Sequence, residues 1–158
     1  MSSATEIKIK VMHGPNLNML QYRQQDIYGS LSYEALLAAL EEEGKTKGLS
    51  HNIIIELSTF QSNHEGALID EVQQLINNAD YDALIINPGA LAHYSYALRD
   101  ALEMLKIIKV EVHLSDITTR EDFRQKDVIA EVCDVMFYGK QLGSYFAALD
   151  YIIDKSRY

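Results

Sequence analysis

The chain has a single cysteine, Cys133, so no intrachain disulfide can form, and a reducing compartment is expected. Basic residues are in short supply. Lys plus Arg number 14 against 23 for Asp plus Glu, a formal net charge of -9. That balance disfavours a general nucleic-acid binder, which needs a basic surface to neutralise phosphates. It still admits a small anion wherever local arginines outweigh the global field. No apolar run reaches the roughly 18 residues of a membrane span. Between Met1 and Met12, Lys8 and Lys10 interrupt any signal-peptide apolar stretch. A cytoplasmic protein with no membrane partner is therefore expected. There is no P-loop, no G-x-G-x-x-G and no G-x-S-x-G, which argues against a nucleotide binder. No metal is expected, because His64-Glu65 lacks a second ligand at metal spacing. Prolines number two, Pro15 and Pro88, so the position of each carries information.

The 158 residues, 47% hydrophobic, suit one compact domain spanning 1–158. Charged residues, at 23%, lie near the globular average. Apolar segments alternate between two periods. Short β-rich runs are predicted at 7–12, 52–57, 83–86, 107–112 and 132–138. In the first, Ile7, Ile9 and Val11 alternate with Lys8 and Lys10, the pattern of a partly exposed strand. Ser32 is an N-cap candidate for a helix through Leu36, Leu37 and Leu40, which Gly44 and Gly48 are expected to end. Further helical spacings run through Leu68 to Ile76, Leu98 to Leu105 and Leu142 to Ile153. Strict alternation of strand and helix predicts an α/β fold with parallel strands and helices on both faces. Five strands suggest a doubly wound, flavodoxin-like sheet of order 2-1-3-4-5. Two lysines sit oddly in its central strand.

Open parallel sheets bind ligands outside the carboxyl ends of their strands. His13-Gly14-Pro15-Asn16-Leu17-Asn18 follows the first strand, Asn87-Pro88-Gly89-Ala90 and then His93 the third. Glu111-Val112-His113-Leu114-Ser115 closes the fourth. Each cluster alone reads equally as turn chemistry, and His113 alone as a hydrogen-bonded structural histidine. Together they mark one rim. A long connection at about 19–29 carries Arg23 and Tyr28 and has the length of a lid loop. Cys133, inside a predicted buried strand, reads as core, and Tyr33, Tyr96 and Tyr151 as packing residues.

The segments HGPNLNML (13–20), IYG (27–29), FQSNHEGALID (60–70), INPGALAHYSYALRDAL (86–102), EVHLS (111–115), TREDFR (119–124) and LGSYFAAL (142–149) resemble the type II 3-dehydroquinate dehydratases. They cover nearly the whole chain in matching order. The resemblance implies a lyase that removes water from 3-dehydroquinate to give 3-dehydroshikimate, in the shikimate pathway or in quinate breakdown. It implies no cofactor or metal, and a homo-oligomer, a trimer-based dodecamer. On it, Tyr28 is the catalytic tyrosine, Arg23 the lid arginine, Asn16 the asparagine after the first strand and His113 the general acid. Asn87, His93, Arg124, Leu114 and Ser115 match substrate contacts. Asp100 matches a carboxylate reaching a neighbouring subunit's site, and Arg120 an arginine expected in an outer shell or in assembly.

The chemistry fits those residue types. Loss of water beside a ketone starts with removal of a carbon-bound proton, which leaves an enolate. A free tyrosine titrates near ~10, so roughly 0.1% is phenolate at neutral pH, and a nearby guanidinium favours that form. Asn16, directly or through water, suits the enolate oxygen. His113 suits the leaving hydroxyl, with Glu111 setting its charge or tautomer. Arg124, the backbone at Leu114 and Ser115, and His93 suit a carboxylate. The chain also departs from the family. Gln21-Tyr22-Arg23-Gln24-Gln25 stands where G-x-R-E-P is usual, Asp116 where Asn is usual and Asp127 where Ser is usual. Both aspartates add negative charge near an anionic ligand. These changes motivate an alternative reading, a diverged, catalytically weak binding protein on the same fold.

Overall fold

The computed structural model describes residues 3–157. Five strands form one parallel sheet in the order β2-β1-β3-β4-β5: β1 (Thr5–His13), β2 (Ile53–Gln61), β3 (Ala83–Asn87), β4 (Ile108–Val112) and β5 (Val135–Phe137). This is the doubly wound, flavodoxin-like order expected by analogy for five alternating strands. Four long helices, α2 (Tyr33–His51), α3 (Glu65–Asn78), α4 (Tyr96–Met104) and α6 (Leu142–Lys155), cover the two faces. Two short ones, α1 (Gln25–Tyr28) and α5 (Asp122–Gln125), sit above the carboxyl edge. No helix among the described residues is long and apolar enough to cross a membrane.

Period-two alternation sorts β1 between two cores. Ile7, Ile9 and Val11 pack with Leu36 and Leu40 of α2 and with Leu149 and Ile152 of α6. Met12 packs on the other face with Leu68 and Val72 of α3 and Leu98 of α4. Lys10 shares that second face and is buried, so of the two lysines only Lys8 keeps the expected partial exposure; β1 is central. Its ammonium meets Glu71 of α3 at 2.6 Å, near the rings of Phe60 and Tyr81. A paired charge is the form in which a lysine tolerates such burial.

Helix α2 begins at the expected cap, where the Ser32 side chain accepts from the Ala35 amide at 3.1 Å. It does not end at Gly44 or Gly48. Both lie inside the helix and face β2, and a Cβ on Gly48 would stand 2.8 Å from the Ile53 carbonyl oxygen. These glycines let helix and strand approach closely, and the helix stops only at Asn52, in the left-handed region at φ 55. The segment 19–29 is not an open loop. A 3-10 turn over Leu17–Tyr22 runs into α1, and Gln141 ties it down by donating to the Ile27 carbonyl at 3.0 Å.

The fifth strand is shorter than expected because residues 130–132 form a 3-10 turn before it. Cys133 therefore lies outside the strand, half-buried, with burial pushing its thiol up. Tyr96 is 57% exposed and accepts from Lys126, so it is not a packing residue. Tyr33 and Tyr151 are half-buried.

Candidate active site

The carboxyl ends of β1 and β3 are clasped together by both prolines and two glycines. Gly14 donates its amide to the Asn87 carbonyl at 2.8 Å. A Cβ on Gly14 would meet the Pro88 carbonyl oxygen at 2.2 Å. Reciprocally, Gly89, at φ 61, would meet the Pro15 carbonyl oxygen at 3.0 Å. Backbone lies on backbone here, which only residues without a side chain permit.

This clasp forms one wall of a pocket. Arg23, Tyr28, Asn87, His93, His113, Leu114, Ser115 and Arg124, all expected at the site, line it. Leu17, Gly89, Ala90, Ile117 and Arg120 complete the lining. Two expected residues lie elsewhere. Asn16 is exposed on the rim, with its neighbour Leu17 taking the wall position. Asp100 is exposed on α4, outside the lining.

Tyr28 closes α1, and its ring is buried in the first core. Its hydroxyl oxygen accepts from Arg23 at 2.5 Å. It also accepts from Arg120, which stands directly on the phenol and not in the outer shell expected from the sequence. The reason is topological: the turn after β4 brings residue 120 back over α1. Both guanidinium groups also lie over the Tyr28 ring, at 3.8 and 5.0 Å from its centre. Two fixed cations on one phenol oxygen complement the charge of a phenolate. With Arg124 they make the pocket cationic on a protein of net charge -9.

Across the pocket, at the end of β4, His113 Nε2 meets Glu111 Oε2 at 2.5 Å and Asp127 Oδ2 at 3.5 Å. Burial alone would push His113 down, but hydrogen bonds and charge from the two carboxylates more than reverse it. His113 is held as an imidazolium above its ordinary range. Burial raises Glu111, against the opposing pull of His113. Among the described residues, this trio alone brings three donor atoms of metal-binding type within 4.8 Å of one another. Its shortest contact, His113 Nε2 to Glu111 Oε2 at 2.5 Å, is a hydrogen bond, so this nitrogen is engaged with a proton. The two aspartates that depart from the family pattern differ in place. Asp116 caps the Thr118 amide at 2.9 Å, away from the lining, whereas Asp127 turns inward to His113. Gln21 turns a buried, unpartnered amide oxygen inward, and nothing in the structure explains it.

His93 donates from Nδ1 to the Lys126 carbonyl at 2.8 Å, and burial lowers it. Its neutral Nε2 is thus an acceptor, suited to a hydroxyl. It cannot serve the carboxylate contact that the sequence suggests for it.

Behind Asn87 runs a buried polar chain. Asn87 Nδ2 donates to the Tyr145 oxygen at 3.0 Å, and the Tyr145 hydroxyl donates to His13 Nε2 at 3.0 Å. His13 Nδ1 then donates to the Tyr33 oxygen at 3.2 Å. Burial drives His13 down to about 3, so it is neutral. Tyr145→Phe would strand Asn87 and His13 together. The expected loss is about 2–6 kcal/mol in urea unfolding, since each of the two buried unpaired groups costs about 1–3.

Comparison with known proteins adds the lineage. A family model described as dehydroquinase class II matches residues 7–153. A 3-dehydroquinate dehydratase from Thermotoga maritima is 48% identical over 149 residues, covering 94% of this chain and 96% of that one. The crystal structure of a type II dehydroquinase from Butyrivibrio crossotus superposes with a TM-score of 0.86 at 44% identity, covering 94% of this chain and 98% of that one. One from Propionibacterium acnes gives 0.86 at 31% identity, covering 96% and 99%.

Proposed function

The chain belongs to the class II dehydroquinase family, and from that premise we propose how it dehydrates 3-dehydroquinate to 3-dehydroshikimate. The carrying observation is Tyr28, whose oxygen accepts from both Arg23 and Arg120 in a pocket that His113 also lines. Tyr28 as phenolate takes the proton from the carbon beside the ketone. Arg23 and Arg120 stabilise the phenolate before the step and hold the tyrosine in place after it. The resulting enolate oxygen is served by Asn16, which acts from the rim through an ordered water. His113 then gives a proton to the departing hydroxyl, which leaves as water. Glu111 holds the imidazole in position.

The substrate carboxylate is assigned to Arg124 and to the backbone at Leu114 and Ser115. His93 Nε2 accepts from a ring hydroxyl. Each acid or base is worth about 10²–10⁴ in rate. No step calls for a metal or organic cofactor. We place the reaction in the cytoplasm, in the shikimate pathway or in quinate breakdown, carried out by one catalytic domain with residues 19–29 as its lid. Asp100, exposed and unpaired with this pocket, acts in a neighbouring copy's site within a trimer-based dodecamer.

The test is a continuous absorbance assay with purified protein, chelator and 3-dehydroquinate. Growth of the conjugated-enone band of 3-dehydroshikimate is the expected result. Binding of a substrate analogue with no turnover would replace the reading by the alternative, a catalytically weak binding protein.

A further inference from the structure

The two carboxylate oxygens of Asp127 do different things. Oδ1 accepts from the Ile129 and Ala130 amides at 2.8 and 3.0 Å and so shapes the turn that precedes β5. Oδ2 is buried, has no hydrogen-bond partner, and lies 3.5 Å from His113 Nε2. Glu111 Oε2 holds that same nitrogen, and Glu111 Oε1 is likewise buried and unpartnered. The side chains of His113, Glu111 and Asp127 are 7%, 0% and 7% exposed. Two buried carboxylates around one imidazole cannot both remain bare anions with empty lone pairs. One further proton, held between them, satisfies both orphan oxygens.

We propose that Asp127 is a positioning residue for the dehydration: with Glu111 it forms a proton-sharing carboxylate pair that keeps His113 an imidazolium with Nδ1 aimed at the substrate. This rests on His113 being the acid. Nε2 is committed to the pair, so Nδ1 carries the proton that is transferred. The Nδ1–H bond breaks, the proton joins the departing oxygen, and the C–O electron pair leaves with it as water. The neutral imidazole regains through solvent the proton that Tyr28 removed, which restores both groups. The carboxylate pair takes no part in that balance. It sets the state in which His113 begins and its orientation.

The direction of the shifts agrees. Burial works against charge at all three groups, yet His113 is raised and Asp127 lowered, each by the other and by Glu111. The remaining groups facing the cluster do not supply this effect. His93 is itself lowered, and Cys133 is held as a thiol by burial. Arg23, Arg120 and Arg124, across the pocket with Tyr28, are cations and disfavour an imidazolium.

The experiment compares wild type with Asp127→Asn and Asp127→Ser, both of which keep an oxygen to cap Ile129 and Ala130. Nitrogen-15 NMR follows the His113 imidazole, assigned by its loss in His113→Gln, and kinetics follow kcat and KM against pH. Expected is a fall of the His113 midpoint by about 1–3 pH units. The alkaline limb of kcat should fall with it, while KM changes little. An unmoved His113 midpoint in a folded variant overturns the proposal. So does a wild-type midpoint at or below the ordinary ~6.5, which needs no variant at all. A midpoint that falls while the kcat limb stays fixed supports the carboxylate pair and overturns His113 as the acid.

Discussion

Tyr28→Phe is expected to lower kcat for 3-dehydroquinate by about 10²–10⁴-fold, the range for loss of a positioned base. The ring remains, so its packing in the first core persists. The lost oxygen is the common acceptor of Arg23 and Arg120. Without it two guanidinium groups face each other over an apolar ring, and Arg23 in particular should swing towards water. Circular dichroism and the melting temperature should stay close to wild type, because the ring keeps its packing and the lost oxygen faces the pocket. Activity within a few-fold of wild type would remove Tyr28 from the mechanism. Product release limiting both proteins is the one way chemistry could hide, and a burst in rapid mixing would expose it.

Gly14→Ala should damage the protein by another route. The added methyl would lie 2.2 Å from the Pro88 carbonyl oxygen and 2.6 Å from its carbon. Both are backbone atoms, so no rotamer relieves the clash. The two loops must part, which breaks the Gly14–Asn87 bond and drags Asn87 off the pocket wall. A loss of about 3–4 kcal/mol is expected, at the upper end for overpacking. Urea unfolding measures it. Gly66→Ala is the matched control. A Cβ there meets nothing within 4 Å, and the position is helical, so a gain of up to about 1 kcal/mol is expected. Equal stability of the two variants would show that the clasp yields more easily than its backbone contacts imply.

The parallel sheet was legible because strand and helix alternate along the chain, and its order followed by analogy with five-stranded doubly wound sheets. Arg23 and Tyr28 were legible as a pair because they lie five positions apart on one segment. What escaped the sequence depended on chain folding back on itself. Lys10 looked anomalous because its partner, Glu71, lies on a later helix. Gly44 and Gly48 looked like a helix end because glycine marks both helix stops and close packing, and only the β2 backbone distinguishes the two. The place of Arg120 on the phenol has no local signal, because nothing nearby in sequence says that residues after β4 return over α1. The sequence shows Asp127 as an added charge, but its orientation towards His113 has no local signature. The acceptor role of His93 is hidden because the Lys126 carbonyl that fixes its tautomer is remote in sequence.

The buried chain from Asn87 through Tyr145 and His13 to Tyr33 also has a direction. Each member gives one hydrogen to the next. The sense is set at Asn87, whose oxygen accepts from the Gly89 amide at 3.1 Å, so the Asn87 amide cannot flip. With that oxygen held, Asn87 presents its second N–H to a ligand. At His93 the free nitrogen offers the opposite, a lone pair and no hydrogen. The interior thus imprints a grammar of donor and acceptor on the pocket, so that a substrate seated end for end would set hydrogen against hydrogen.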